Sequence, residues 1–426
     1  MKKKILVKGP ALSRSGYGEQ TRFALRALRA YEEYLDIYLL NIPWGTTGFI
    51  LADTEEYHWL EELMFKTEAH VRRGDGSVVP ARQAFDISLQ VTIPNEFERI
   101  APINIGYTAG IETTKVAPIW LAKGNDMDKL IVVSNHSKQV YETGTCIARN
   151  NDTGEEKTDY RCETPIEVIS YAVRNFEPES IEGFKLDYDF NFITVAQWGP
   201  RKNLDSTIRW FVEEFSNDEV GLVVKTNMAK DSLIDRRYVF DSLRRLLSLY
   251  PDRKCKIYLL HGTLTDGNMM WLYQHKKVKG MISLSHGEGF GLPLFEAAYN
   301  GVPLITTNWS GQTDFINMPN KNGKMRPHIA KVKYSLQPVQ PEVVWKDVIE
   351  ADSMWAYPIE ASAKSVMREV YKNHGRFKAQ ARRLQKWVLK NFTEKEKYAA
   401  FAELIISKEE IEMSNQIEEM FKDLSI

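Results

Sequence analysis

The chain has 426 residues, of which 43% are hydrophobic and 27% charged, a composition that is typical of soluble globular proteins and excludes disorder. Its 56 basic and 57 acidic side chains give a net charge of −1, which excludes a strong overall attraction to DNA or to an anionic membrane. Only three cysteines occur, without a CxxC pair, which argues against a disulfide framework or a thiolate zinc site.

Short β-branched and apolar runs recur along the chain without clean alternation, as in strands that are buried on both faces. In chain order they are residues 5–9, 35–41, 86–92, 103–109, 130–134, 166–172, 192–197, 221–226, 256–262, 280–285 and 302–307. Apolar residues at spacings of three and four predict helices at residues 203–216, 234–250, 268–277 and 292–300. Strands alternating with helices predict an α/β protein with doubly wound parallel sheets.

A domain boundary is predicted within residues 174–190, which are polar and contain Pro178 and Gly183. Their apolar residues show neither the period of a strand nor that of a helix. We therefore expect a first domain at residues 1–183 and a second at residues 184–374. Several predicted strands lie on each side, so each part is large enough for its own core.

Two segments depart from the alternation of strands and helices. Residues 142–164 are polar and predict an inserted loop. From residue 359 to the end the pattern is helical, with brief breaks near Gly375 and residues 391–393.

The start of the chain lacks the features of a signal peptide, because its apolar stretch covers only residues 5–7 before Lys8. No run approaches the roughly 18 apolar residues that a membrane span needs. We therefore expect a cytoplasmic protein with no transmembrane segment.

The most informative stretch is residues 283–316, where a strand leads through a glycine-rich turn at residues 287–291 into a helix with Pro293 near its start. Glycines let backbone amides approach a ligand, and the positive end of the helix favours an anion at the same place. A carboxylate in the turn would repel a phosphate. We therefore expect Glu288 to accept hydrogen bonds from sugar hydroxyls, and Glu296 from a second polyol such as a ribose.

This pattern resembles the EGFG-x-P-x-x-E signature of retaining glycosyltransferases with the GT-B fold, in particular glycosyltransferase family 4 (group 1). The sequences of residues 8–28, 105–120, 128–144 and 192–211 are similar to other parts of that family, so the likeness covers most of residues 1–315. It implies two Rossmann-like domains facing a cleft, with the acceptor bound by the first and the donor by the second. It also implies that helices at about 375–426 pack back on the first domain.

The resemblance implies roles for individual residues. Glu288 would bind hydroxyls of the transferred sugar, while Lys202 and Arg201 would bind the diphosphate and stabilise the leaving group; these three are the expected catalytic residues. The residues expected to bind the donor are Gly16, Gly18, His286, Gly289, Phe290, Gly291, Leu292, Leu294 and Glu296. For His286, a structural role in the turn is an equal alternative.

Two positions depart from the family pattern. The family places an arginine about five residues before the lysine, where this chain has Gln197. Many members also keep a histidine after an early strand of the acceptor domain, whereas residues 88–98 contain none. The polar residues that this stretch offers instead are Gln90, Thr92, Asn95 and Glu96.

Two DxD patterns, Asp126 with Asp128 and Asp187 with Asp189, match the metal site of the other glycosyltransferase fold. Both precede a strand, whereas a ligand site belongs at the carboxyl end of one. We interpret them as loop carboxylates and expect neither an essential metal nor any other cofactor.

Three side-chain features have both a structural and a functional interpretation. Arg22, Arg26 and Arg29 form a stripe on the first helix that predicts a solvated face, with contact to a phosphate-bearing acceptor as the alternative. His136 is interpreted as a helix cap, with a position facing the cleft as the alternative. Trp198 is the tryptophan expected to form a wall of the cleft.

The reaction implied is transfer of a glycosyl group, with retention, from a nucleoside diphosphate sugar linked to UDP or GDP. Three alternatives stay open: a phage-type glycosyltransferase that modifies a hydroxymethylpyrimidine base in DNA, a non-catalytic nucleotide-sugar binding module, and a glycoside hydrolase.

The acceptor is unknown, with a glycan or a modified DNA base as candidates. Residues 2–29 carry eight basic side chains against Glu19 and favour DNA, whereas the net charge of −5 over residues 1–185 disfavours it. No basic amphipathic membrane helix is recognised, which disfavours a lipid acceptor.

Overall fold

The computed structural model describes residues 2–50, 53–149, 153–407, 409 and 411. Among them the strands are β1 (Lys3–Gly9), β2 (Leu35–Asn41), β3 (Ile87–Val91), β4 (Ile103–Thr108), β5 (Lys129–Val132), β6 (Cys146–Arg149), β7 (Glu156–Tyr160), β8 (Ile166–Val168), β9 (Asn191–Val195), β10 (Gly221–Thr226), β11 (Lys256–His261), β12 (Val278–Ser283), β13 (Leu304–Thr307), β14 (Asn317–Pro319), β15 (Met325–Pro327), β16 (Ala330–Val332), β17 (Tyr334–Pro338) and β18 (Met354–Pro358). The helices are α1 (Gly16–Arg29), α2 (Glu55–Val71), α3 (Ala81–Ala84), α4 (Pro118–Asn125), α5 (Asn135–Thr143), α6 (Leu204–Phe215), α7 (Leu233–Leu247), α8 (Asp266–Gln274), α9 (Leu292–Tyr299), α10 (Thr313–Ile316), α11 (Glu360–Lys372), α12 (His374–Asn391) and α13 (Glu394–Ile405). Short 3₁₀ turns lie at Pro94–Glu96, Pro200–Lys202 and Pro341–Val343.

The first domain is built on a parallel sheet with the strand order β2-β1-β3-β4-β5-β8. All five residues of β3 are buried, as expected for a strand covered on both faces. The order reverses between β1 and β3, so the loops that follow these two strands open a crevice at the carboxyl edge of the sheet.

The second domain repeats this plan with the parallel order β11-β10-β9-β12-β13-β16. Here the order reverses between β9 and β12, which places a second crevice beside the loops after those strands. Each apolar run predicted from the sequence overlaps one strand of the two sheets, so the doubly wound α/β architecture is confirmed. The edge strand β16, only three residues long, escaped the prediction.

The two domains share part of their buried apolar core. Tyr171, which lies between the two sheets in the chain, packs on Phe290 of the glycine-rich turn with ring centroids 5.1 Å apart. Phe290 packs in turn on Phe295 of α9 and on Phe315 of α10. Aromatic rings of both domains therefore pack on Phe290 and fix the position of the turn.

Two expectations about the less regular segments need correction. Within residues 142–164 the chain forms an antiparallel hairpin of β6 and β7, not a loop; residues 150–152 lie outside the described residues. Most side chains of this hairpin are exposed, so it carries no apolar pattern that could have predicted it.

The return of the chain to the first domain also begins later than expected. Helix α12 packs on α9 of the second domain, and only α13 packs on α1. Phe401 of α13 meets Phe23 of α1 with ring centroids 5.7 Å apart. Residues 412–426, which belong to the same expectation, lie outside the described residues. Within the described part of the chain, no helix is long and apolar enough to span a membrane.

Candidate active site

Two loops meet where the strand order of the second sheet reverses. Lys202, in the 3₁₀ turn after β9, donates from Nζ to Oε1 and Oε2 of Glu288 at 2.6 and 2.7 Å. Arg201 donates from Nη1 to the carbonyl of Gly287 at 2.7 Å and to Oε2 of Glu288 at 3.2 Å. The three residues expected to be catalytic therefore form one ion-pair cluster.

The charges of this cluster are tightly coupled. Burial by itself would raise the pKa of Glu288, but Lys202 and Arg201 lower it to about 2. Burial lowers the pKa of Arg201, but Glu112 and Glu288 raise it above its ordinary value. Burial and the neighbouring Arg201 lower the pKa of Lys202. Glu288 is therefore a carboxylate at neutral pH and can accept hydrogen bonds but not donate a proton.

The turn after β12 presents unused backbone donors at the start of α9. The amides of residues 289–292 make no hydrogen bond to any described residue, whereas the amide of Glu288 donates to Ser310 Oγ at 2.9 Å. Gly291 has a φ of 94°, which favours glycine, and Pro293 follows within the first turn of α9. Free amides at a helix N-terminus are suited to bind an anion.

Two residues near the cluster have strained backbones. Asn203, next to Lys202, has a φ of 51°, and Ser310 has a φ of 61°. Asn203 donates from Nδ2 to the carbonyl of Leu284 at 3.2 Å, which ties the loop after β9 to the loop after β12. Positive φ angles in residues other than glycine are found preferentially at functional sites.

The first domain contacts the glycine-rich turn directly. A Cβ atom on Gly287 would lie 2.0 Å from the carbonyl oxygen of Glu112, and one on Gly289 would lie 2.3 Å from that of Ala109. Glu112 Oε1 also lies 3.6 Å from Arg201 Nη1. Glycine is therefore required at both positions for the loop after β4 to approach the cluster.

Glu296 lies one turn into α9, where the hydroxyl of Tyr273 donates to its Oε2 at 2.9 Å. Burial raises the pKa of Glu296 to about 7; the Tyr273 hydrogen bond lowers it, while Asp266 and Glu19 raise it. Its other carboxylate oxygen makes no hydrogen bond to a described residue. Glu296 is therefore partly protonated at neutral pH.

The two glycines of the first loop differ in their surroundings. A Cβ atom on Gly18 would lie 1.9 Å from the carbonyl oxygen of Ser13, whereas one on Gly16 would meet nothing within 4 Å. Gly18 is required by this close backbone approach. Gly16 is open at the start of α1, whose N-cap Ser15 accepts from the Gly18 amide at 3.0 Å.

Both interpretations of the arginine stripe are wrong for its first two members. Arg22 is buried and donates to the carbonyls of Ala11 and Ser13 at 2.7 and 2.9 Å. Arg26 pairs with Glu19 at 2.5 Å and with Glu56 at 2.7 Å. These arginines hold α1, the first loop and α2 together.

Arg29, the third member of the stripe, pairs with Glu55 at 3.3 Å on the protein surface. Much of the basic charge of residues 2–29 is therefore compensated by carboxylates within the first domain.

Several residues that were expected to bind the donor have buried side chains. Leu294 is 2% exposed and belongs to the apolar core, so it cannot line the phosphate end of a ligand. The ring of Phe290 is also buried, which leaves its amide as the group that could reach a ligand. Leu292 is half-buried beside the same core.

His286 is packed into the second domain. Its Nδ1 lies 2.7 Å from the carbonyl of Ala356, and its ring stacks on Trp355 at a centroid distance of 5.1 Å. Burial lowers the pKa of His286 and the Ala356 hydrogen bond raises it, with a net decrease. The histidine is therefore neutral, with Nδ1 used by the backbone.

The positions that depart from the family pattern have structural partners. Gln197 donates to the carbonyl of Met228 at 2.7 Å, away from Glu288. Gln90 is buried and donates to the carbonyl of Glu98 at 2.6 Å. Thr92 donates to Glu96, and Asn95 accepts from Trp120 Nε1 at 2.6 Å.

His136 is not the cap of its helix, as Ser134 is the N-cap of α5. His136 Nε2 lies 3.1 Å from the carbonyl of Thr113, and its ring meets Trp309 of the second domain at 5.1 Å. Trp198 is half-buried and donates from Nε1 to Asp205 at 2.9 Å.

The two DxD patterns do not form metal sites with other residues. Asp187 pairs with Lys256 at 2.8 Å and Asp189 with Lys277 at 3.1 Å. Asp128 accepts from the amide of Asn104 at 2.8 Å. The described part of the chain contains no group of three or more residues that could hold a metal ion.

Three residues of this region were not predicted from the sequence. Glu112 and Ser310 contact the cluster as described above, and Lys225 lies at the carboxyl end of β10. Burial lowers the pKa of Lys225, Asp231 and Glu296 raise it, and Arg14 of the first domain lowers it further. Glu112 follows strand β4, and Lys225 lies near the end of strand β10. Both could have been predicted as site residues, because ligands bind at the carboxyl ends of parallel strands.

Part of the second domain matches a known sequence family. Residues 256–325 match the family described as glycosyl transferases group 1. A stretch of 118 residues is 32% identical to the serotype-specific mannosyltransferase WbdA of Escherichia coli. The predicted likeness to group 1 glycosyltransferases is confirmed. The matched stretch covers 27% of this chain and 13% of WbdA, so this chain spans only a small part of that relative.

Solved structures share the fold over nearly the whole chain. HepE of Anabaena, in complex with UDP-glucose, aligns over 95% of this chain and 100% of its own at a TM-score of 0.56 and 13% identity. Sucrose-phosphate synthase of Thermosynechococcus elongatus aligns over 95% of this chain and 98% of its own, at a TM-score of 0.58 and 12% identity. These likenesses confirm the GT-B arrangement of two parallel-sheet domains.

Proposed function

We propose that the protein is a retaining glycosyltransferase that moves a glycosyl group from a nucleoside diphosphate sugar to an acceptor hydroxyl. The observation that supports this most directly is the cluster of Arg201, Lys202 and Glu288 beside the free amides at the start of α9. It combines a hydroxyl-binding carboxylate with cations and amides suited to a diphosphate.

Each member of the cluster has a distinct role in this proposal. Glu288 accepts hydrogen bonds from hydroxyls of the transferred sugar. Arg201 uses only Nη1 in its contacts with described residues, which leaves Nε and Nη2 as donors to phosphate oxygens. As the bond to the sugar breaks, negative charge develops on the leaving diphosphate, and Lys202, Arg201 and the amides stabilise it.

Further contacts complete the donor site. Glu296 binds ribose hydroxyls through its carboxylate, and Gly16, which faces open space at the start of α1, provides backbone that reaches the donor phosphate from the first domain. HepE was solved with UDP-glucose, which supports a UDP-linked sugar as the donor, and a GDP-linked sugar is the alternative. No step of this proposal uses a metal ion.

The geometry does not favour the alternative functions. In a glycoside hydrolase only Glu296 could serve as general acid, because the pKa of Glu288 is lowered to about 2. The cations and free amides beside Glu288 would have no role in hydrolysis, whereas they are suited to a diphosphate. For a DNA base as acceptor, a basic wall on the first domain would be needed. Arg22 and Arg26 do not provide one, because they are engaged in internal contacts.

A donor screen tests the proposal. Thermal-shift measurements with UDP, GDP and their sugars identify the nucleotide, and the best donor is then incubated with candidate acceptors. We expect one nucleotide class to stabilise the protein, and NMR of the product to show the same anomeric configuration as the donor. Binding without transfer to any acceptor would favour a non-catalytic module, and an inverted product would contradict retention.

A further inference from the structure

Helix α7 stands at the edge of the second domain, between β10 and the edge strand β11. Its buried residues are Asp235, Val239 and Leu243, which form a narrow stripe at spacings of four. Leu246 and Leu247 are partly buried against the core of the second domain, and most of the other residues of the helix face outward. Four apolar side chains on this outer face are unusually open to solvent: Leu233 (81% exposed), Ile234 (69%), Tyr238 (63%) and Phe240 (54%).

The same face is strongly basic. It carries four exposed arginines, Arg236, Arg237, Arg244 and Arg245, none of which makes an ion pair with a described residue. The exposed acidic residue of the helix is Asp241. Isolated exposed apolar residues are ordinary, but apolar side chains interleaved with unpaired arginines on one helix face require an explanation.

The other domain adds an apolar residue close to this helix. Phe49 is 53% exposed, and a Cβ atom on its neighbour Gly48 would lie 3.0 Å from Asp231 Oδ2, two residues before α7 begins. Both segments lie at the carboxyl edges of their sheets, where the cleft opens. The exposed surface therefore borders the entrance to the candidate active site.

We propose that the outer face of α7, residues 233–245, docks the protein on an anionic lipid surface. Leucine, isoleucine, phenylalanine and tyrosine side chains would enter the boundary between head groups and acyl chains, and the arginines would contact lipid phosphates. This orientation places the cleft entrance beside the membrane. It differs from the expectation that no basic amphipathic membrane helix is present. The proposal does not depend on the glycosyl-transfer reaction.

Other occupants of this face fit less well. A second copy of the chain, packed about a twofold axis, would bring the same arginines together, and like charges repel. A nucleic acid would use the arginines and could stack bases on Tyr238 and Phe240, but it would leave Leu233 and Ile234, the most exposed apolar residues of this face, without a partner. An anionic bilayer satisfies the apolar and the basic side chains together.

Vesicle flotation tests the proposal with the full chain and without donor or acceptor. We expect binding to vesicles of phosphatidylcholine with phosphatidylglycerol, and little binding to phosphatidylcholine alone. Arg237→Glu with Arg244→Glu should weaken binding roughly tenfold or more, as each arginine near an anionic surface contributes about a factor of five. Leu233→Ser with Ile234→Ser should weaken it too, without a change in melting temperature.

The matched control is Arg382→Glu with Arg383→Glu, an exposed arginine pair on α12, which should leave vesicle binding unchanged. Equal binding of all variants, or no binding by the unaltered protein, would overturn the proposal. It would also be overturned if the α7 variants converted a dimer to a monomer in analytical ultracentrifugation, or if they removed binding to single-stranded DNA instead.

Discussion

Lys202 donates to both carboxylate oxygens of Glu288, although the two residues are 86 positions apart in the chain. The strand order of the second sheet explains the contact, because β9 and β12 are neighbours and the loops after them meet at the same edge. This one ion pair brings the cation that would bind a diphosphate to the carboxylate that would bind the sugar.

Lys202→Ala should weaken the binding of the donor nucleotide. Loss of a charged donor to phosphate costs about 1.5–3 kcal/mol, which corresponds to roughly ten- to hundredfold in the dissociation constant. Isothermal titration calorimetry with UDP and GDP measures this dissociation constant. The exposed Lys276→Ala serves as control and should bind as the unaltered protein does. Equal affinities of both variants would exclude Lys202 from the donor site.

Glu288→Gln should reduce turnover more than it reduces donor binding. The amide keeps the shape of the side chain but loses the charge that Lys202 and Arg201 hold in place, so we expect kcat to fall by about a hundredfold. The donor dissociation constant should change by much less. Comparison of kcat with calorimetric affinity separates the two effects, with the exposed Glu219→Gln as control. A loss of affinity with an unchanged kcat would indicate that Glu288 acts in binding alone.

Donor affinity should rise between pH 6 and pH 8 because of Glu296. Its pKa of about 7 lies above the ordinary value, so the carboxylate that would accept from ribose hydroxyls is mostly protonated below that pH and mostly charged above it. The charged fraction grows about tenfold over this range. Titration with a nucleotide sugar, whose phosphates do not ionise further in this range, measures the effect. Glu296→Gln should abolish the pH dependence, and a profile unchanged by that substitution would contradict the role.

Gly18→Ala should lower the stability of the protein, whereas Gly16→Ala should lower its donor affinity without lowering its stability. The methyl group at residue 18 would collide with the carbonyl of Ser13, so this variant should lower the melting temperature. At residue 16 the methyl group meets no protein atom, so stability should be retained. If the first loop approaches the donor phosphate at Gly16, this variant should lose donor affinity all the same. Unchanged affinity of a stable Gly16→Ala variant would remove Gly16 from the donor site.

The architecture and the centre of the site could be predicted because they depend on local patterns. Buried parallel strands are apolar over their length, and the turn at residues 287–291 carries its glycines and Glu288 within a few positions. The placement of Lys202 and Glu288 in one site was predicted only through the family resemblance, because spacing along one segment says nothing about contacts between distant loops.

Partners on other elements could not be predicted. The stripe of Arg22 and Arg26 predicted a solvated face, but the carboxylate of Glu56 on α2 and the carbonyls of residues 11 and 13 cover it. Helix α7 shows the opposite case. Its apolar spacing predicted the helix, and Val239, Leu243, Leu246 and Leu247 are buried or partly buried, but Leu233, Ile234, Tyr238 and Phe240 are exposed because the helix lies at the edge of the domain.

Glycosyl transfer is tested most directly by mass spectrometry of acceptors incubated with the donor that stabilises the protein best. We expect an acceptor that gains the mass of one glycosyl residue, with release of the nucleoside diphosphate, and loss of both products in Lys202→Ala and Glu288→Gln. Equal turnover by the unaltered protein and both variants would contradict it, as would release of free sugar from a glycoside in the absence of any nucleotide.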